Sequence, residues 1–94
     1  MAQIRIDCAN ARRQARKLDN AARDCDEVVR RLQSEVNTLT DGWTGEAANA
    51  YITELQQRIT EIRKIGVDAR DMAYLLRKAA EEFEEAEKEM KSQM

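Results

Sequence analysis

The apolar residues in the first part of the chain recur at alternating steps of four and three without an interruption. This series consists of Ile4, Cys8, Ala11, Ala15, Leu18, Ala22, Cys25, Val29, Leu32, Val36 and Leu39. Such alternation places every member on one stripe of an α-helix, and most positions between them are charged or amide residues. The chain contains no proline to stop a helix. The pattern therefore predicts a first helix over about residues 6–40.

The second part of the chain carries two neighbouring apolar stripes with the same period. The first stripe, in which Arg58 is the only polar member, consists of Ala48, Tyr51, Leu55, Arg58, Ile62, Ile65, Ala69, Met72, Leu76, Ala79, Phe83, Ala86 and Met90. The second stripe consists of Ile52, Leu55, Ile59, Ile62, Gly66, Ala69, Ala73, Leu76, Ala80 and Phe83. Two adjacent stripes predict a second helix, over about residues 46–89, that contacts more than one neighbouring helix.

The short segment between these helices, residues 41–45, reads Asp-Gly-Trp-Thr-Gly and contains the only tryptophan of the chain. Gly42 is suited to a left-handed conformation just past the end of the first helix. Thr44 is predicted to be the N-cap of the second helix, and Glu46 falls in its first turn, where the helix dipole favours an acid. A connection this short predicts antiparallel helices. We therefore expect one all-α domain over residues 1–94, an antiparallel two-helix hairpin.

A hairpin of two long helices leaves one side of each helix uncovered, so we expect two hairpins to dimerise into a four-helix bundle. The partner is expected to be a second copy or a related chain. The residues expected to form the core and the dimer contact are Leu18, Cys25, Val29, Leu32, Leu55, Ile59, Ile62 and Leu76. The charges favour the antiparallel arrangement, because residues 1–31 hold eight Arg or Lys and residues 81–91 hold six Glu.

Composition and spacing argue against several classes of function. The chain has no histidine, and its two cysteines lie on the apolar stripe, so we expect no enzyme activity, metal, cofactor or small-molecule substrate. Cys8 and Cys25 are separated by roughly 25 Å along one helix and cannot form an intramolecular disulfide. They are expected to be small buried hydrophobes, with an intermolecular bridge as the alternative. No run of apolar residues is long enough to span a membrane.

Nucleic-acid binding is also not expected, although the first helix is rich in arginine. Along one helical face the charges alternate in sign through Arg12, Arg16, Asp19, Arg23, Asp26 and Arg30. A row that follows phosphates would not include aspartates at this spacing. The mixed signs likewise argue against a membrane-surface helix.

Trp43-Thr44-Gly45 is a Trp-x-Gly triplet near the centre of the chain, in the turn between the two predicted helices, and the first residues are not expected to form a cleavable signal. In these features the whole chain resembles the WXG family, the ESAT-like helical hairpins exported by type VII secretion systems. Members often carry Tyr-x-x-x-Asp/Glu near the end of the second helix as a secretion signal. Here the closest match is Phe83 followed by Glu87. We interpret this pair as a variant signal, with an ordinary core phenylalanine as the alternative.

The resemblance implies a function and a way of recognition. In the family, the Trp-x-Gly turn of one chain lies near the tail motif of its dimer partner, and the membrane ATPase of the secretion machine reads both. The chain is thus expected to be cytoplasmic before export and then secreted, with Trp43 and Gly45 in the recognised turn. Trp43 is also expected to cover the open end of the bundle. Two alternatives are a helper that pairs with the helical N-terminal region of a larger secreted toxin, and a cytosolic coiled-coil adaptor.

Overall fold

The computed structural model describes residues 6–93, which form two long helices in an antiparallel hairpin measuring 74 × 21 × 18 Å. Helix α1 spans Cys8–Leu39 and helix α2 spans Glu46–Ser92. The described residues contain no strand, and the predicted all-α hairpin is confirmed.

The outer helix ends differ from the predicted bounds by two and three residues, whereas the ends next to the turn agree within one residue. α1 begins at Cys8 because Asp7 is its N-cap, and the carboxylate of Asp7 accepts a hydrogen bond from the backbone N–H of Asn10. α2 continues to Ser92, three residues past its predicted end.

The apolar stripe of α1 faces α2. Ala15, Ala22, Val29 and Val36 are buried. Their neighbours on the same stripe, Ala11, Leu18, Cys25 and Leu32, are half-buried. Leu39, at the end of the stripe, is 58% exposed, and Ile4 lies outside the described residues.

On α2, the second of the two stripes packs against α1. Its members Ile59, Gly66, Ala73 and Ala80 are buried. The residues that belong only to the first stripe are mostly exposed, among them Tyr51, Arg58, Ile65 and Met72. Residues common to both stripes, such as Leu55, Ile62, Leu76 and Phe83, are half-buried. One stripe of α2 therefore holds the hairpin together, and the other remains on the surface.

The two helices approach each other closely at small residues in the middle of the rod. A Cβ atom placed on Gly66 would lie 3.3 Å from the Cβ of Cys25 and 3.6 Å from the carbonyl oxygen of Ala22. Nearer the turn, larger side chains fill the interface, where Val29, Val36 and Ile59 form a buried cluster. The hairpin core is thus narrow, and its packing depends on residue size at each level.

One side of the hairpin is crossed by three ion pairs between the helices, which we call the ladder. The pairs are Arg12–Glu84, Asp19–Arg77 and Asp26–Arg70. Each step of seven residues along α1 matches a step of seven back along α2, so the ladder reports a constant antiparallel register. The hydrogen bond from Arg70 lowers the pKa of Asp26, and the hydrogen bond from Arg12 lowers the pKa of Glu84.

Candidate recognition site

Two hydrogen bonds from Thr40 close the end of α1, where the turn begins. The backbone N–H of Thr40 donates to the carbonyl of Val36 at 2.9 Å, and the Thr40 hydroxyl donates to the same carbonyl at 2.7 Å. The N–H of Trp43 then donates to the carbonyl of Thr40 at 2.9 Å. Between them Gly42 has φ 80°, the predicted left-handed conformation. These bonds fix the backbone on which Trp43 is presented.

Gly45, the glycine of the triplet, is the N-cap of α2. It has φ 103° and ψ 170°, a combination that essentially only glycine adopts. Its carbonyl accepts the N–H of Asn49 at 3.0 Å, the first bond of the helix. No atom lies within 4 Å of a Cβ built on Gly45, so the backbone angles, rather than crowding, require glycine here.

The prediction that Thr44 caps α2 is wrong. No side chain makes a hydrogen bond to the start of α2, and the N-cap position is Gly45. A threonine side chain can cap a helix, but here Thr44 lies one residue before the N-cap position and makes no hydrogen bond to the first free N–H groups. Glu46 does fall in the first turn, as predicted.

Trp43 lies at the tip of the rod with 40% of its surface exposed. Among the described residues no non-glycine has positive φ, so the turn places no special backbone demand on this position. A partly covered indole on a hydrogen-bonded turn offers an apolar face and a polar N–H to a partner.

The second predicted element, Phe83 and Glu87, lies near the other end of the rod. Phe83 is half-buried and Glu87 is exposed. One turn before Phe83, the carbonyl of Ala80 lies 3.6 Å from the Sγ of Cys8, the first residue of α1. The pair therefore lies at the level where α1 begins.

Within one chain the turn and the tail element are far apart. Gly45 and Phe83 are separated by 38 residues, almost all in one straight helix, or roughly 57 Å. The structure thus does not bring Trp43 and Gly45 together with Phe83 and Glu87. Only a second chain lying in the opposite direction can place a tail beside this turn.

The side of the hairpin away from the ladder is apolar, and we call it the open face. It is formed by Val28 of α1 and Tyr51, Ile65 and Met72 of α2, which are 44%, 68%, 59% and 54% exposed. Arg58 lies in the same row of α2 as Tyr51, Ile65 and Met72 and is the only charged residue in that row. Its guanidinium pairs with the carboxylates of Glu54 at 2.8 Å and Glu61 at 3.4 Å. These carboxylates, Glu54 first, raise the pKa of Arg58.

The predicted core residues divide between the hairpin interior and this face. Val29 and Ile59 are buried within the chain. The other members are half-buried between the interior and the open face, and they are Leu18, Cys25, Leu32, Leu55, Ile62 and Leu76.

Over residues 6–93 the structure has no helix long and apolar enough to cross a bilayer. The same residues contain no cluster of cysteine and carboxylate side chains suited to a metal ion. Cys8 and Cys25 are both free and half-buried. Burial and the neighbouring Glu84 raise the pKa of the Cys8 thiol, which disfavours the reactive thiolate.

Comparison with known proteins gives two matches. The model of the WXG100 family, described as proteins of 100 residues with WXG, matches residues 3–88. The crystal structure of EsxA from Geobacillus thermodenitrificans, crystal form I, has a similar fold, with a TM-score of 0.74 and 24% sequence identity. That similarity covers 98% of this chain and 100% of the EsxA chain. No curated protein matches the chain significantly.

Proposed function

We propose that this chain, which belongs to the WXG100 family, leaves the cell through a type VII secretion system as a helical-hairpin dimer. Proteins of this family are secreted, are not enzymes and typically form dimers with WXG-like partners. The observation that carries the proposal is the tip of the hairpin, where the Gly45 backbone and the Thr40 hydrogen bonds hold a partly exposed Trp43.

The open face supports the dimer. Interfaces of stable complexes bury about 800 Å² on each partner. A rod measuring 74 × 21 Å in its two longer dimensions offers a side of sufficient size. The exposed Ile65 and Met72 make this side apolar, and Arg58 is neutralised within its own helix, so two such faces can meet without repulsion between unpaired charges.

We propose a second copy of this chain as the partner, with the two turns at opposite ends of the bundle. This arrangement brings Trp43 and Gly45 of one protomer near Phe83 and Glu87 of the other, which the single chain cannot do. The membrane ATPase of the secretion machine would then read the two elements as one surface.

Export of the Trp43→Ala variant tests the recognition role of the turn. We expect the variant to remain a helical dimer by circular dichroism and light scattering, while its export to the culture medium is lost. Tyr74→Ala, which removes another exposed aromatic away from both the turn and the open face, is the matched control for export. Normal export of Trp43→Ala would contradict the proposal, and loss of the dimer would assign Trp43 a purely structural role.

Phe83→Ala and Glu87→Gln test the tail element in the same assay. If the pair is a secretion signal, each variant reduces export and leaves the dimer intact. If export is unchanged in both, Phe83 is an ordinary core residue and the signal lies elsewhere.

A second candidate is a helper that pairs with the helical region of a larger secreted toxin, because the uncovered open face fits either occupant. The mass of the protein expressed alone separates the two. A helical dimer supports the homodimer, whereas a poorly folded monomer that becomes helical only with a partner supports the helper.

A further inference from the structure

The ion pairs of the ladder determine which charged side chains on the surrounding surface are left without a partner. In sequence, arginines and aspartates alternate along α1, which suggests a neutral surface. In the structure, Asp19 and Asp26 are paired with Arg77 and Arg70, which come from α2. These two aspartates therefore form their ion pairs across the hairpin rather than with the arginines of their own helix.

The arginines left over form a straight row on α1. Arg16, Arg23 and Arg30 recur every seven residues, and all are exposed. Each lies four residues after a ladder residue, so the row lies along the ladder on the same side of the hairpin. Over residues 6–93, none of the three has a carboxylate oxygen within 4.0 Å.

The next position of the ladder adds a further positive charge. There Arg63 of α2 lies opposite Gln33, which supplies no carboxylate. Arg30, Gln33 and Arg63 line one open groove between the helices, with a volume of about 600 Å³, and Asp41 is the one carboxylate among its lining residues. Arg30 and Arg63 also lie close enough to Asp26 to lower its pKa, after the larger effect of Arg70.

We call this side of the hairpin the basic face. Its charged residues are seven arginines and four carboxylates, namely Arg12, Arg16, Arg23, Arg30, Arg63, Arg70 and Arg77 with Asp19, Asp26, Glu81 and Glu84. Glu27 lies at its margin. The whole chain carries a net charge of −2, so the excess of positive charge is local. The basic face also lies away from the open face and stays accessible when the open face is covered.

We propose that the basic face docks an acidic helix of a protein partner, one with carboxylates at seven-residue spacing. The guanidinium row has a repeat of about 10.5 Å, and a helix lying alongside α1 presents carboxylates with the same repeat. Exposed Val67 and Tyr74 lie beside the ladder on α2 and give such a helix apolar contacts.

Other polyanions fit this geometry less well. Each strand of B-DNA has a phosphate about every 3.4 Å along a helical path. A straight row of guanidinium groups with a repeat of about 10.5 Å can follow that curved path for only a few contacts. A lipid surface requires a broad apolar surface between the charges, and the basic face offers only Val67 and Tyr74 beside the ladder, with charged residues along the arginine row.

Two labelled helical peptides of equal length and composition provide the probe. In one, glutamates occupy a single face at seven-residue spacing, and in the other they are distributed around the helix. Fluorescence anisotropy with the full-length protein should show tighter binding of the one-face peptide at low salt. The binding should largely disappear at about 0.5 M salt, because contacts between exposed charges are screened.

The variant R16Q/R23Q/R30Q tests the row, and R13Q/K17Q/R31Q removes three positive charges from other sides of α1 as its control. We expect about a tenfold weaker affinity for the first variant and less than a threefold change for the second. Circular dichroism confirms that both remain helical, since glutamine is also a good helix former.

Three results would overturn the proposal. These are equal binding of the two peptides, equal loss in the two triple variants, and tighter binding to a short DNA duplex or to phosphatidylglycerol vesicles than to the one-face peptide. The assay uses purified protein and no secretion machine. Failure here leaves the proposed export unaffected, and loss of export through Trp43→Ala leaves this binding unaffected.

Discussion

At the scale of single residues, the Trp-x-Gly triplet contains one residue that the backbone requires and one that it does not. The φ and ψ of Gly45 exclude a side chain, whereas Trp43 has no unusual backbone conformation. The glycine is therefore explained by the fold. The backbone does not explain the tryptophan, which lies at the tip of the rod with 40% of its surface exposed and is proposed to contact a partner.

The first prediction concerns Gly45. Gly45→Ala should lower the free energy of unfolding by about 1–3 kcal/mol, because alanine is strained at φ 103° and ψ 170°. Thr44→Ala should change it by less than about 0.5 kcal/mol, because the Thr44 side chain caps nothing. Urea denaturation of both variants measures the difference. An equal cost for the two variants would show that Thr44 contributes a cap after all.

A second residue-scale prediction concerns pH. The folded-state pKa of Asp26 is lowered, chiefly by the hydrogen bond from Arg70. Its ion pair therefore stabilises the folded protein at pH values above the ordinary carboxyl pKa of 3.8. That contribution is lost as the pH falls through the lowered folded-state value. Melting temperatures of wild type and Asp26→Asn should differ at pH 7. The difference should begin to shrink below about pH 4 and vanish once the pH lies below the lowered folded-state pKa of Asp26.

Asp24→Asn is the control for this experiment, because Asp24 is exposed on the same helix and does not belong to the ladder. Its melting temperature should follow the wild type throughout the titration. A constant offset between wild type and Asp26→Asn at every pH would mean that the ion pair does not cause the difference.

At the scale of helices, the ladder is regular enough to be extended. The position after Asp26–Arg70 holds Gln33 and Arg63, which line the same groove. Gln33→Glu should therefore add a fourth ion pair and stabilise the hairpin by about 0.5 kcal/mol at low salt. The gain should shrink at about 0.5 M salt.

Gln33→Glu in a protein that also carries Arg63→Gln lacks the expected partner and serves as the control. Thermal melts at both salt concentrations distinguish the variants, since only Gln33→Glu with Arg63 in place should show a gain that salt removes. Equal behaviour of the two variants would mean that the register of the ladder does not continue to this level.

The two helices differ in how much of their packing could be predicted from the sequence. The uninterrupted stripe of α1 was sufficient to predict both the helix and the face that it buries. α2 was different, because its two stripes have the same period and share residues such as Leu55 and Ile62. Only the observed burial of Ile59 and Gly66 identifies the stripe that faces α1. The ladder also required the structure, because Arg70 and Arg77 lie far from their aspartate partners in sequence.

The candidate site was predictable only in part, for a related reason. The triplet and its position in a turn could be read directly, as could the left-handed Gly42. A threonine next to the start of a helix suggested a side-chain cap, but residue type alone does not determine where a helix starts, and the N-cap is Gly45. The excess charge of the basic face depends on cross-helix pairing, so no pattern within α1 alone could have predicted it.

At the scale of the whole molecule, the hairpin has two long sides of opposite chemistry. Ion pairs and free arginines occupy one side, and exposed Ile65 and Met72 occupy the other. An apolar side of this length costs free energy in water, since each exposed side chain forgoes burial. The proposed homodimer covers that side and leaves the arginines outward, so the same molecule can dimerise and still contact an acidic partner.

Substitution on each side tests this division. The variant I65K/M72K places two charges within the open face, and we expect the protein to elute as a monomer in light scattering at concentrations where the wild type is a dimer. V67K/Y74K adds the same charges beside the ladder, on residues that are also exposed, and should leave the dimer intact. Ile65 and Met72 are 59% and 54% exposed within the chain, so losing them removes little of the hairpin core. A dimer that survives I65K/M72K but dissociates in V67K/Y74K would place the contact on the basic face. The free arginines would then meet acidic residues of a second copy rather than those of another protein.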